Sequence, residues 1–312
     1  VKALFITTTT NETCKHYESF LSLPGSEVEL YVYRNGKPKG SREPFITGDA
    51  LDSEIYAAAK AYAPHIIVYI GACGGNVPSI ALFKRLATQI APIVHFCSDA
   101  SDDPWWPWLL EYEKARCFNV QVALDGSKNW PLNGSGLSAL TVVDPGFFKN
   151  GGRRHTERTM PFGFAGNVTG GRNSLIKQLM ATGLNVRVRD TGPTSYPGFA
   201  EYLCQCKVTV NFPWTGSGRH MHVKGRVLES AFAGVLLLEQ RAAPTKEWFT
   251  PGVDYIEYDD AASAKKLADH YAAHPEESQP IADSLARRVR AEHGPVQFWG
   301  RVFKRIGLEA PA

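Results

Sequence analysis

Two cations and a carboxylate crowd one short segment of this chain. Lys224, Arg226 and Glu229 lie in His222-Val-Lys-Gly-Arg-Val-Leu-Glu-Ser-Ala-Phe-Ala-Gly-Val-Leu-Leu-Leu-Glu239, where a helical pattern over residues 223–233 runs into an apolar strand. The arrangement suits a nucleotide diphosphate. Lys224 and Arg226 carry charge for phosphate oxygens, and a helix start adds free N–H groups and the positive end of its dipole. Glu229, three residues beyond Arg226, falls about one turn away and can accept hydrogen bonds from vicinal ribose hydroxyls. An ordinary amphipathic helix with an i,i+3 Arg–Glu surface pair has the same local pattern.

Two glycine loops are placed to approach a phosphate without a Cβ in the way, Gly166-Asn167-Val-Thr-Gly170-Gly171 before Arg172 and Thr215-Gly216-Ser217-Gly218. Neither has dinucleotide-fold or Walker spacing, and most such loops are only turns. Asn211, closing the apolar run Lys207–Phe212, completes the candidate donor-binding set of Gly166, Asn167, Arg172, Asn211, Gly216, Ser217, Gly218, Lys224, Arg226 and Glu229. Asp99 follows the strand-like Pro92-Ile-Val-His-Phe-Cys-Ser98, the end at which an α/β sheet presents ligands; it is the candidate general base, with Asp102 and Asp103 behind it. Each of the three can equally cap a helix before Pro104. Trp105, Trp106 and Trp108 offer faces for a sugar or a base, or closure of a core. His220 and His222 have no carboxylate at metal-ligand spacing, so no metal site is expected.

Strand-like runs alternate with helical patterns through most of the chain, which predicts parallel α/β architecture. Strands are expected at Lys2–Thr8, Glu27–Tyr33, 65–71, 92–98, Asn119–Leu124 and Ala139–Val143. A second series has strands at Phe162–Ala165, Asn185–Asp190, Lys207–Phe212 and Val235–Glu239. The stretch from Asp144 to Pro161, rich in Pro, Gly and charge, reads as an interdomain linker. The expected division is an N-terminal α/β domain over 1–150, a C-terminal α/β domain over 160–292 and a C-terminal helix over 293–312. Two Rossmann-like domains facing across a cleft result.

With 312 residues, 44% hydrophobic content and a net charge of +3, the chain fits a soluble two-domain protein and not a wholesale polyanion binder. No apolar run approaches bilayer length, and Val1-Lys-Ala-Leu-Phe-Ile enters a strand pattern without a leader, so a cytoplasmic location is expected. The six cysteines form no C-x-x-C pair and read as reduced, mostly buried thiols.

Four segments in order carry a family resemblance: Phe162-Gly-Phe-Ala-Gly-Asn167, Val208-Thr-Val-Asn-Phe-Pro213, Lys224-Gly-Arg-Val-Leu-Glu-Ser-Ala-Phe-Ala-Gly234 and Glu247-Trp-Phe-Thr-Pro-Gly-Val-Asp-Tyr-Ile-Glu-Tyr258. From Phe162 to Ile306 the chain resembles the C-terminal half of GT-B glycosyltransferases of the group-1 type, in the branch with CgeB-like spore-maturation proteins. The resemblance implies a glycosyltransferase whose C-terminal domain, 160–292, is the donor side and holds a sugar nucleotide, most simply a UDP-sugar as co-substrate, with no other cofactor. It implies the acceptor side for the N-terminal domain, 1–150. It implies Gly166 near the phosphates, Lys224 and Arg226 on the diphosphate and Glu229 on the ribose, so that Glu229→Ala weakens donor binding with little loss of folding. One position departs: many retaining relatives have a glutamate eight residues before the ribose glutamate, and Met221 stands there, leaving retention and inversion both open.

The acceptor is open among polysaccharide, protein, small molecule and DNA. Two other readings stand beside transfer. One is a nucleotide-sugar binding or epimerising protein. The other is a nucleic-acid-acting protein, DNA-glycosylating or DNA-binding, whose phosphate contacts come from Lys149–Arg158, Arg287–Arg290 and Arg301–Arg305.

Overall fold

The computed structural model describes residues 1–8, 14–33, 48–71, 76–127, 136–166, 172–183, 185–188 and 195–309. The chain divides into two compact units, one of residues 1–139 and 295–312, the other of residues 140–294.

In the first unit a six-stranded parallel sheet is ordered β2-β1-β3-β4-β5-β6. Its strands are β1 (Lys2–Thr7), β2 (Glu27–Val32), β3 (Ile66–Ile70), β4 (Ile93–Cys97), β5 (Val120–Ala123) and β6 (Gly136–Ser138). Helices α1 (Cys14–Leu21), α2 (Gly48–Tyr62), α3 (Ile80–Gln89) and α4 (Trp106–Ala115) make the crossovers. Strands β3 and β4 are buried at every position, as a sheet covered on both faces requires.

The second unit repeats the winding. Its strands β7 (Met160–Gly166), β8 (Asn185–Val188), β9 (Cys206–Val210), β10 (Leu236–Gln240) and β11 (Ile256–Tyr258) form a parallel sheet ordered β11-β10-β9-β7-β8. They alternate with α5 (Arg172–Ala181), α6 (Tyr196–Gln205) and α7 (Arg226–Ala233), and α8 (Ala261–Ala273) and α9 (Pro275–Glu292) follow. Alternate residues sort to opposite faces. Phe162, Phe164, Val208, Val210, Leu236 and Leu238 enter one core with α8, and Ala165, Val235 and Leu237 enter another with α6, α7 and α9.

Both units therefore have the doubly wound strand order 2-1-3-4-5, the first extended by one strand. Each reverses its winding beside its first strand, and such sheets bind ligands beyond the strand C-termini at that reversal. In the second unit the reversal lies between β7 and β9, so Gly166 and Asn211 close the two strands that flank it.

The expected linker is not a linker. Residues 140–158 fold into the second unit: Leu140, Val143 and Phe148 join its core, and Arg158 is buried. The Arg158 guanidinium donates to the carbonyls of Gly151, Arg153, Cys204, Cys206 and Ala233, tying this segment to the ends of α6 and α7. Charge in that stretch misled the sequence reading because a guanidinium can be satisfied by main-chain carbonyls alone. Nor is Ala139–Val143 a strand: β6 ends at Ser138, and Leu140 and Val143 pack into the core of the second unit.

At the other end, α10 (Pro295–Ile306) is not a separate segment but part of the first unit. Trp299 packs edge-on to Phe20 at 4.9 Å and donates to Ser19 Oγ at 3.0 Å. Cys14, Cys97, Cys117, Cys204 and Cys206 are buried free thiols, and Cys73 lies outside the described residues. No helix among the described residues is long and apolar enough to cross a membrane.

Candidate functional site

Helix α7 starts at Arg226, one residue after Gly225, and stops at Gly234, whose φ of +62° supplies the left-handed cap that favours glycine. A Cβ at Gly234 would meet the Gly151 carbonyl oxygen at 2.4 Å, so the same residue lets the 140–158 segment press against the helix end. The opposite end of α7 thereby sits at the C-terminal edge of β7 and β9.

There Arg226 reaches back to the strand ends. Its Nη2 donates to the carbonyl of Ala165 in β7, and its Nε lies 3.6 Å from Glu229 Oε2, an ion pair too long to be a hydrogen bond. The guanidinium carbon is 5.0 Å from the ring centres of both Phe164 and Phe199, within cation–π range. Only 10% of the Arg226 side chain and 7% of the Glu229 side chain are exposed. Burial pulls the Arg226 pKa below the usual guanidinium range, with Glu229 acting against that fall. Nε and Nη1 are buried and have no hydrogen-bond partner among the described residues.

Gly166 is shaped by this contact. Its φ is +153°, and a Cβ would stand 3.0 Å from Phe164 Cζ and 3.3 Å from Arg226 Nη2. Glu229 is held from the other side by Tyr196, whose hydroxyl donates to Oε1 at 2.9 Å. Tyr196 opens α6 and is wedged between Phe147 and Phe199, at centroid distances of 5.0 Å and 5.5 Å. Sequence reasoning passed over Tyr196 because nothing in its neighbourhood marks it.

Beside this pair lies a polar cluster. Asn211, just past β9, donates its amide to Glu239 Oε2 at 2.9 Å, and Thr245 donates its hydroxyl to the same oxygen at 2.9 Å. Glu239 is fully buried in β10, and desolvation pushes its pKa up to about 7, offset in part by those hydrogen bonds and by Lys224. A charged residue ending the apolar run Val235-Leu-Leu-Leu was the signal available for Glu239. Asn211 was expected on the donor; in the structure its amide N–H is engaged by Glu239.

The remaining expected residues are spread more widely. Residues 214–221 form a hairpin-like turn, with Trp214 bridged to Met221 and Thr215 N–H donating to His220 O at 2.8 Å. Gly216 and Ser217 are exposed at its tip, and Gly218 takes a φ of +73°. This turn precedes α7 but does not itself start a helix, unlike a phosphate-cradling loop. Lys224 is half-buried between the turn and α7. Arg172 opens α5, and Asn167 lies outside the described residues.

Asp99 belongs to the first unit, in the turn that leaves β4, and is half-buried. The turn is braced: Asp102 N–H donates to Asp99 O at 3.0 Å, and Ser101 donates through N–H and Oγ to Asp125 Oδ2, each at 2.8 Å. Asp102, not Asp99, occupies the N-cap position of the helical turn Asp103–Trp105. Trp106 donates to Ala100 O at 2.9 Å and packs on Cys97, Ala100, Leu109 and Ala123, whereas Trp108 is 37% exposed. The tryptophans thus divide between core and surface.

The basic patches of the nucleic-acid reading are partly consumed by the fold. Arg158 is buried on carbonyls, and Arg288 pairs with the buried Asp254 at 2.7 Å.

The chain with its two doubly wound units matches solved GT-B glycosyltransferases in fold. A family profile described as glycosyl transferase-like matches residues 154–302. Among solved structures, HepE of Anabaena in complex with UDP and glucose is similar at a TM-score of 0.60 and 10% identity, covering 98% of this chain and 99% of that one. Sucrose-phosphate synthase of Thermosynechococcus elongatus is similar at 0.63 and 9% identity, with 98% and 99% covered. UDP-GlcNAc 2-epimerase of Neisseria meningitidis, bound to UDP-GlcNAc, is similar at 0.54 and 10% identity, with 97% and 100% covered. No curated protein sequence matches the chain.

Proposed function

We propose that this chain is a metal-independent glycosyltransferase, of the CgeB-like branch, that moves a hexose from a UDP-sugar to an acceptor hydroxyl. The observation that carries the reading is Arg226: a buried guanidinium with two N–H groups unpartnered among the described residues, at the strand ends where the second unit reverses its winding. A diphosphate supplies the acceptors that those N–H groups lack, and a charged donor left unpaired in a dry site is costly. HepE, whose structures hold UDP and UDP-glucose, supports the choice of uridine.

Arg226 and Lys224 bind the diphosphate in this reading, Gly166 lets its oxygens approach β7, and Glu229, aimed by Tyr196, takes the ribose hydroxyls. As the sugar carbon passes through an oxocarbenium-like state, charge builds on the departing diphosphate. Cations fixed there in advance stabilise that state more than the ground state. They do so without a divalent ion or another cofactor. Asp99 removes the proton of the acceptor hydroxyl.

Thermal-shift titration with UDP, GDP, TDP and ADP and their sugar conjugates tests the donor assignment, since a binder of the native state raises the melting temperature by mass action. UDP and UDP-glucose are expected to stabilise the protein, equally with and without EDTA. No stabilisation by any diphosphate removes the reading, and a requirement for metal removes its metal-independent part. The epimerase similarity favours one alternative. Formation of a C2 epimer from UDP-GlcNAc without any acceptor selects it.

A further inference from the structure

Glu239 takes no part in the transfer just described, yet it is the only glutamate fully buried among the described residues. It lies on β10 in step with Val235 and Leu237, on the face that packs against α7. Its Oε2 accepts from Asn211 and Thr245, and its Oε1 accepts from the N–H of Gln240 at 3.1 Å. Tyr258 closes the cluster by donating to Asn211 O at 2.7 Å. Among the described residues, the charged or titratable groups acting on this carboxylate are Lys224, ahead of α7, and Tyr255 and Tyr258, at β11. The two phenols are neutral near pH 7, because burial raises both. Lys224 is therefore its cationic neighbour.

We infer that Glu239 is a positioning residue of the donor site, which fixes the Asn211 amide and competes with the donor diphosphate for Lys224, so that donor binding draws a proton onto Glu239. The inference rests on the UDP-sugar reading of that site. Its logic is like-charge repulsion: a diphosphate brought to Lys224 takes over the cation's field and leaves the nearby carboxylate facing a new anion, which disfavours ionisation. Protonation of Glu239 in turn returns Lys224 to the diphosphate, and the two effects are equal by linkage. The proton comes from solvent, and no covalent bond between heavy atoms changes. Because Glu239 already titrates at about 7, the exchange falls in the neutral range.

The test is calorimetry of the whole chain with UDP-glucose, whose diphosphate has no group titrating near neutrality, in buffers of different ionisation enthalpy. Near pH 7.5 a substantial fraction of a proton is expected to be taken up per ligand bound. If the ligand raises the Glu239 pKa by about one unit, affinity falls about fivefold between about pH 6 and about pH 8. Glu239→Gln is expected to abolish both the uptake and the slope. Should that variant not fold, the wild-type proton inventory and its pH slope still decide. Binding without proton uptake overturns the inference and leaves the donor reading intact. Uptake that persists in Glu239→Gln also overturns it and assigns the proton to another group, His220 and His222 being the first to examine. No heat with UDP-glucose from about pH 6 to about pH 9 overturns the donor reading and this inference together.

Discussion

Replacing Glu229 by glutamine is expected to destabilise the second unit severely, although the sequence alone points to a harmless change. The reason is Arg226. The pair is separated by 3.6 Å with side chains 10% and 7% exposed, so removing the carboxylate charge leaves a guanidinium almost wholly out of water beside two phenylalanines. Breaking a buried pair in this way costs about 3–5 kcal/mol, more than the pair itself contributes. The Ala165 carbonyl and the Phe164 and Phe199 faces stay on the guanidinium and keep part of its compensation, so the lower end, about 3 kcal/mol, is expected. Removing both charges, as Arg226→Met with Glu229→Gln, takes away the stranded cation and is expected to lose at least about 2 kcal/mol less than the sum of the single changes. Urea unfolding of the four members of this cycle, followed by tryptophan fluorescence, reads the difference. If Glu229→Gln unfolds within about 0.5 kcal/mol of the wild type, the exposed surface-pair reading of the segment is right and the buried site is not.

Gly166→Ala is expected to weaken UDP binding at least tenfold, because its Cβ would stand 3.3 Å from Arg226 Nη2 and its φ of +153° disfavours a side chain; calorimetry of the variant checks this. Arg158→Met leaves five backbone carbonyls without their shared donor and should lower stability by about 3 kcal/mol or more without changing retention on heparin or DNA columns. Asp99→Asn should abolish sugar transfer while UDP affinity stays within about twofold, measured by single-turnover release of UDP. Glu239 carries a sign opposite to the usual carboxylate. Its folded pKa of about 7 lies above the ordinary 4.5, so the folded state binds the proton more tightly and stability falls as pH rises from about 4.5 to about 7. The loss is about 3 kcal/mol, and a urea series over that range should lack it in Glu239→Gln.

Many of the strand positions were legible because composition and burial agree: the apolar run of β3, and the largely apolar β4 and β10, are what a sheet covered on both faces demands. What failed were segments whose polar groups are satisfied by distant main chain. Arg158 looked like surface charge because its five acceptors are backbone atoms spread from Gly151 to Ala233 and leave no mark in residue type. The Trp106–Ala115 helix was missed because a proline and three tryptophans hide its start, while Leu109 and Tyr112 alone point inward. The spacing of Arg226 and Glu229 made their pairing legible, but not its burial, since an i,i+3 pair reads the same on a wet face and a dry one. Tyr196 and Glu239 act through contacts 33 residues away and 28 residues away, respectively, which no local pattern encodes.

Burial of the Arg226–Glu229 pair bears directly on how such a site works. A cation kept dry and already ion-paired does not need to shed a water shell when a diphosphate arrives, so the reorganisation that weakens a surface arginine is made during folding. In the proposed complex the arriving anion need not break the pair, because Nη1 lacks a hydrogen-bond partner among the described residues, while Nε remains beside Glu229, Nη2 on Ala165 and Tyr196 on Glu229. In the proposed function Glu229 serves in two ways at once: as the counter-charge that makes a buried arginine tolerable, and as the acceptor for a ribose hydroxyl. That double duty predicts asymmetry between the partners. Each single change strands one buried charge, so both should lower stability; Arg226→Met has lost its diphosphate contact and should gain little from UDP, whereas Glu229→Gln should regain part of its stability when UDP supplies the missing negative charge. Thermal melts of both variants with and without saturating UDP measure this, and a larger UDP-induced rise for Arg226→Met than for Glu229→Gln would refute the assignment of Arg226 to the diphosphate.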